Sequence, residues 1–163
     1  MQIPSLTTKK RSEQMNIAGV IHDATNGYDG IAIEIYFSGC TRNCKGCHNP
    51  QMQNFEYGKP LNVEELLKHL HGQEDWFDIV SFLGGDLLCQ EDDEANLLTY
   101  VIRKEFPDKK LWLFTGETQE NIPQWCLEFF DVIKVGTYIE ELREPGYELA
   151  SSNQKYIVKG VDY

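Results

Sequence analysis

The chain has 163 residues, 41% of them hydrophobic and 25% charged, which suits one compact domain and is too short for two independent catalytic ones. With 15 Lys and Arg against 26 Asp and Glu the net charge is -11, so no overall basic field exists to neutralise phosphates, and the composition argues against nucleic-acid binding. No run approaches the roughly 18 apolar residues of a membrane span, and Met1 to Gln14 carries Lys9, Lys10 and Arg11 with no apolar stretch behind them, so a soluble, cytoplasmic protein is expected.

Residues 1–14 are polar and aperiodic and read as a flexible arm, which leaves 15–163 as a single domain. Ile31 to Phe37 is rich in β-branched and aromatic residues, follows the turn-like Asn26-Gly27-Tyr28-Asp29-Gly30, and predicts a buried strand ending at Ser38-Gly39. A helix follows, capped by Asn62 with Glu65 three residues on, its apolar side made by Val63, Leu66, Leu67 and Leu70 up to Gly72. Phe77 to Leu83 predicts a second strand, broken by Gly84-Gly85. The next helix spans about Glu91 to Glu105, with Glu91-Asp92-Asp93-Glu94 as a solvated acidic start and Arg103 and Lys104 near its end. Lys110 to Phe114 is a third strand, Ile122, Trp125, Cys126 and Phe129 mark a short helix, Val132 to Val135 is a fourth strand, and Tyr156 to Val158 a weaker last one.

Strands alternating with helices predict βα units and a mainly parallel sheet. A closed eight-unit barrel needs about 250 residues, so the expected fold is α/β, a partial (open) βα barrel. Four strands end in Gly-containing or polar turns: Ser38-Gly39-Cys40, Gly84-Gly85-Asp86, Thr115-Gly116-Glu117 and Val135-Gly136-Thr137. Ligands of parallel α/β folds sit at the carboxyl ends of the strands, so these turns should meet at one site.

An odd number of cysteines, five, argues against a disulfide framework. Cys40, Cys44 and Cys47 form a C-x3-C-x2-C loop, whereas Cys89 and Cys126 stand alone and read as small buried side chains. Closely spaced thiolates hold iron-sulfur clusters, and three of them leave one iron of a cubane open. A zinc knuckle is the competing reading, but structural zinc prefers four ligands in two separated pairs, and His48 follows Cys47 too directly to complete the set. Arg42 and Lys45 are either exposed charges or a positive surround for the cluster. His22, His69 and His71 show no metal spacing, and Trp112 and Trp125 read as core.

This loop, placed after a predicted strand, resembles the signature of the radical S-adenosylmethionine enzymes. From about Asn16 to Gly160 the chain is similar to the small activating enzymes of anaerobic ribonucleoside-triphosphate reductase. The similarity runs through Ser38-Gly39-Cys40, Gly46-Cys47-His48-Asn49, Leu83-Gly84-Gly85-Asp86, Leu113-Phe114-Thr115-Gly116, Asp131-Val132-Ile133 and Ser151-Ser152-Asn153-Gln154-Lys155. It implies a 4Fe-4S cluster on Cys40, Cys44 and Cys47. It also implies S-adenosylmethionine beside Gly46, Cys47, His48, Gly84, Gly85, Asp86, Thr115 and Gly116, with Asp86 toward the ammonium group and Thr115-Gly116 along the ribose.

The implied activity is reductive cleavage of S-adenosylmethionine to a 5'-deoxyadenosyl radical. That radical abstracts hydrogen from a glycine of the large reductase subunit, with a one-electron donor such as flavodoxin. The sequence departs from the family pattern at Ala32, where an arginine is common, and at Leu87, where a proline is common. Two other readings stay open: an activase or radical enzyme with a different substrate, and a non-catalytic iron-sulfur or zinc module. A short, open barrel has little chain left to enclose a small substrate, which favours a folded protein as its target.

Overall fold

The alternation read from the sequence is present in the computed structural model, which describes residues 14–144 and 150–163. In chain order the elements are β1 (Asn16–Ala24), β2 (Ala32–Ser38), β3 (Lys59–Pro60), α1 (Val63–Gly72), β4 (Ile79–Gly84), α2 (Asp92–Glu105), β5 (Lys110–Phe114), α3 (Gln124–Phe129), β6 (Val132–Val135) and β7 (Lys155–Val158). The arm expected over residues 1–14 falls outside the described residues except for Gln14, whose side-chain amide donates to the Leu61 carbonyl at 2.7 Å. No helix among the described residues is long and apolar enough to cross a membrane.

Local chemistry explains the helices. The Asn62 side chain accepts the Glu65 backbone N–H at 3.1 Å and caps α1, as its spacing predicted. α1 buries Leu66 and Leu70; α2 starts on Asp92, Asp93 and Glu94, the first two exposed, and buries Ala95, Leu98, Thr99 and Ile102. α3 buries Trp125 and Cys126.

The strands form one sheet in the order β3-β1-β2-β4-β5-β6-β7. β2, β4, β5 and β6 are parallel to one another in unreversed chain order. Unreversed right-handed crossovers put every helix on the same face, the arrangement of a barrel that stops before closing. Alternation along the strands divides the residues accordingly: Ile33, Ile35, Phe37, Val80, Phe82, Leu111, Leu113 and Ile133 pack with the helices in the main core. The opposite face carries a smaller cluster of Ala32, Ile79, Trp112 and Val132, overlaid by Tyr28, Phe114 and Tyr156.

Both ends of the sheet differ from the parallel expectation. β7 runs antiparallel to β6, and β1, which the sequence did not mark as a strand, runs antiparallel to β2. β1 lacks a clean period because its pairing shifts between Ile17 and Gly19 and again between Ile21 and Ala24, and Ile17 is its one buried residue.

Candidate active site

Because β2, β4, β5 and β6 point the same way, their carboxyl ends lie on one rim. The four predicted turns meet there around a cavity of about 300 Å³, lined by Cys40, Gly84, Gly85, Asp86, Thr115, Gly116 and Gly136 among others. Close backbone approach is the reason for the glycine pair. Gly84 has φ 107°, and a Cβ on it would stand 2.7 Å from the Phe37 carbonyl; one on Gly85 would stand 2.5 Å from the Gly39 carbonyl and 2.8 Å from that of Met52. The cysteine loop is sewn to this turn by Gly85 N–H donating to Phe37 O at 2.7 Å and Asp86 N–H donating to Gly39 O at 3.1 Å.

Cys40, Cys44 and Cys47 all line the cavity, as does His48, whose ring packs 5.0 Å from that of Tyr138. Gly46 does not line it; its α-carbon faces the Glu140 side chain. Among the described residues no three His, Cys, Asp or Glu side chains converge closely enough to hold an ion as they stand. The Cys40 thiol instead bonds Cys89, which holds Cys40 above the usual thiol range, while the same bond and the Thr41 hydroxyl at 3.5 Å bring Cys89 down to about 6. Cys89 is therefore a half-buried neighbour of the loop and not a core residue, whereas Cys126 is fully buried as expected.

Asp86 is 1% exposed and its carboxylate faces protein donors. Oδ2 accepts from Arg42 Nε at 2.8 Å, Thr115 Oγ1 at 2.9 Å and Gly116 N at 2.9 Å; Oδ1 accepts from Leu88 N at 2.9 Å. Arg42 also reaches Glu117 at 3.3 Å and crosses Gly116 so closely that a Cβ there would strike its Cδ. Burial opposes the charge on Arg42, but the adjoining Asp86 carboxylate outweighs it and holds the guanidinium above its usual range. Arg42 is thus a partly buried strap between the cysteine loop and the ends of β4 and β5. Lys45, by contrast, is exposed beside Glu140 and Glu141.

Sequence reasoning missed Lys134. It lines the cavity with its ammonium 5.4 Å above the Phe114 ring, and burial lowers its pKa to about 8. A lysine inside the apolar strand Val132-Ile133-Lys134-Val135 was the available signal. Gln154 accounts for part of the matched C-terminal segment: it is 8% exposed, lines the cavity, and donates to Gly136 O at 2.9 Å. A larger cavity of about 780 Å³ lies along the open face beside Tyr28, Trp112 and Tyr156; of its rim charges Lys110 pairs with Asp29, Asp131 pairs with Arg103, and Lys159 donates to the Glu128 carbonyl.

Comparison with known proteins decides what this rim belongs to. A family described as the 4Fe-4S single cluster domain matches residues 25–158. The anaerobic ribonucleoside-triphosphate reductase-activating protein of Enterobacteria phage T4 is 32% identical over 139 residues, spanning 82% of this chain and 86% of that one. The chain belongs to this activating-protein family. The member from Vibrio cholerae is 30% identical over 142 residues, covering 83% of this chain and 91% of its own length. The pyruvate formate-lyase-activating enzyme of Clostridium pasteurianum is 42% identical over 73 residues, 42% of this chain and 31% of that enzyme. Membership in the activating-protein family makes the protein an iron-sulfur enzyme of the radical S-adenosylmethionine type.

Proposed function

We propose that this chain is the activating enzyme of an anaerobic ribonucleoside-triphosphate reductase and installs a glycyl radical on that partner. The observation that carries the reading is the convergence of Cys40, Cys44 and Cys47 with four strand-end turns on one cavity, in a chain of the activating-protein family. When bound, a reduced 4Fe-4S cluster supplies the electron that cleaves S-adenosylmethionine, and the carbon radical released takes a hydrogen atom from a glycine.

The donor set fits the cluster by its chemistry: three thiols on one short loop face one cavity. Cys40, Cys44 and Cys47 would hold it, with Cys40 giving up its contact to Cys89. Gly84 and Gly85 line the cavity at the β4 end, where an amino-acid group would lie. Lys134 offers a half-buried ammonium to a carboxylate, and His48 offers a ring face to a nucleoside beside the wall made by Thr115 and Gly116. Asp86 serves this cavity indirectly, by fixing Arg42, Thr115 and Gly116, since its oxygens are already engaged. A cytoplasmic setting and a flavodoxin-type electron donor belong to the same reading.

A second reading, activation of another glycyl-radical enzyme, draws support from the segment 42% identical to a pyruvate formate-lyase-activating enzyme. The test is anaerobic incubation of cluster-loaded protein with reductant, S-adenosylmethionine and either target. A stable glycyl radical on the reductase with 5'-deoxyadenosine formed supports the proposal. A radical confined to the other enzyme transfers the assignment, and no cleavage of S-adenosylmethionine overturns both.

A further inference from the structure

His22 and His69 are 47 residues apart, and the fold brings them together away from the cysteine cavity, His22 on β1 and His69 on α1. Their Nε2 atoms lie 2.9 Å apart, with ring centroids at 4.8 Å and planes inclined by 66°. Both line a cavity of about 340 Å³ that also takes in Asn62, Lys59 and Glu65. Glu65 precedes His69 by four residues, so the two share one face of α1.

We propose that His22 and His69 form a two-imidazole binding site for a late first-row divalent metal ion, its remaining positions filled by solvent. Metal–imidazole bonds are about 2.0–2.1 Å long, so two nitrogens 2.9 Å apart are close enough to share one ion. Imidazole nitrogens suit Ni²⁺, Cu²⁺ and Zn²⁺ alike, and Ni²⁺ serves as the probe. In the hydrogen-bonded pair one imidazole donates from Nε2 and the other accepts. Moving the donor proton to Nδ1 frees both Nε2 lone pairs without loss of a proton, and a turn of the exposed rings aims them at one ion. Solvent is at hand for the remaining positions because the pair is exposed. The net charge of -11 favours a cation here, against a single lysine, Lys59, at the cavity wall. The ion would tie β1 to α1, and nothing in this site depends on the cluster.

The test is anaerobic calorimetric titration of the cluster-loaded protein with Ni²⁺, above the imidazole titration range. The expected result is one ion per chain, with affinity falling by more than about tenfold in His22→Ala and in His69→Ala and by less in Glu65→Gln. His71→Ala should bind as the parent does, because His71 is held by Glu74 and Glu105 at 3.2 and 2.8 Å. Ni²⁺ should also raise the unfolding temperature of the parent and not that of the His22→Ala/His69→Ala double variant. Absence of binding overturns the proposal, as does binding that survives either histidine substitution. If an alanine variant fails to fold, His69→Gln gives the same comparison.

Discussion

Arg42 Nε sits 2.8 Å from Asp86 Oδ2, joining the middle of the cysteine loop to a carboxylate whose side chain is 2% exposed. Removing one member of a buried pair leaves the other charge uncompensated. Arg42→Ala is therefore expected to cost about 3 kcal/mol, read by urea unfolding, with Arg42→Lys intermediate because an ammonium cannot reach Asp86 and Glu117 as a planar fork does. Iron content after reconstitution should fall in the same order, because the strap also sets where Cys40 and Cys44 stand. Parent-like stability and iron loading in Arg42→Ala would show that the strap is dispensable.

Gly85 is the position where the cysteine loop and the β4 turn come closest. A Cβ there meets two backbone carbonyls, at 2.5 and 2.8 Å, and neither can swing aside as a side chain could. Gly85→Ala should destabilise by about 2 kcal/mol and lower cluster retention. Gly72→Ala is the control: an added Cβ meets nothing within 4 Å, so this helix-end change should be neutral or gain up to about 1 kcal/mol by thermal or urea unfolding.

What could be read in the sequence was local. The Asn62–Glu65 cap, the acidic start of α2 and the strand Lys110–Phe114 each declare themselves within a few residues. Convergence of the four turns was also legible, because parallel direction alone forces it. Arg42 and Asp86 are 44 residues apart, and His22 and His69 47, so their contacts arise only when the sheet assembles. Asp86 was read as a cofactor-facing acid because its position in Gly84-Gly85-Asp86 was visible while its four donors were not. β1 escaped notice because two register shifts erase its alternation.

The cysteines should divide sharply by position. Cys44→Ala is expected to lose the cluster and abolish cleavage of S-adenosylmethionine, read by the paramagnetic signal of the reduced protein and by 5'-deoxyadenosine. Cys89→Ala should retain both, since Cys89 only neighbours Cys40. Cys126→Ala, changed inside the core, should keep both at a stability cost of about 1 kcal/mol. Equal loss in all three variants would refute the assignment of the loop.

Lys134 makes a prediction about pH. Burial lowers its pKa from 10.5 to about 8, a penalty of about 3 kcal/mol on the charged form. The unfolded chain keeps this proton up to 10.5 and the native chain only to about 8, so between these values the unfolded state binds more protons. Stability should therefore rise with pH through that window, and the penalty is fully present below it. Lys134→Met should be more stable than the parent at neutral pH and show no such rise, measured by urea unfolding across the window. A group kept at this cost in the cavity wall needs a use, and a bound carboxylate supplies one by restoring the proton. S-adenosylmethionine should accordingly bind Lys134→Met at least about tenfold more weakly, the loss of a charge-assisted hydrogen bond of about 1.5–3 kcal/mol. A variant that is both more stable and binds S-adenosylmethionine as the parent does would leave the half-buried ammonium without that role.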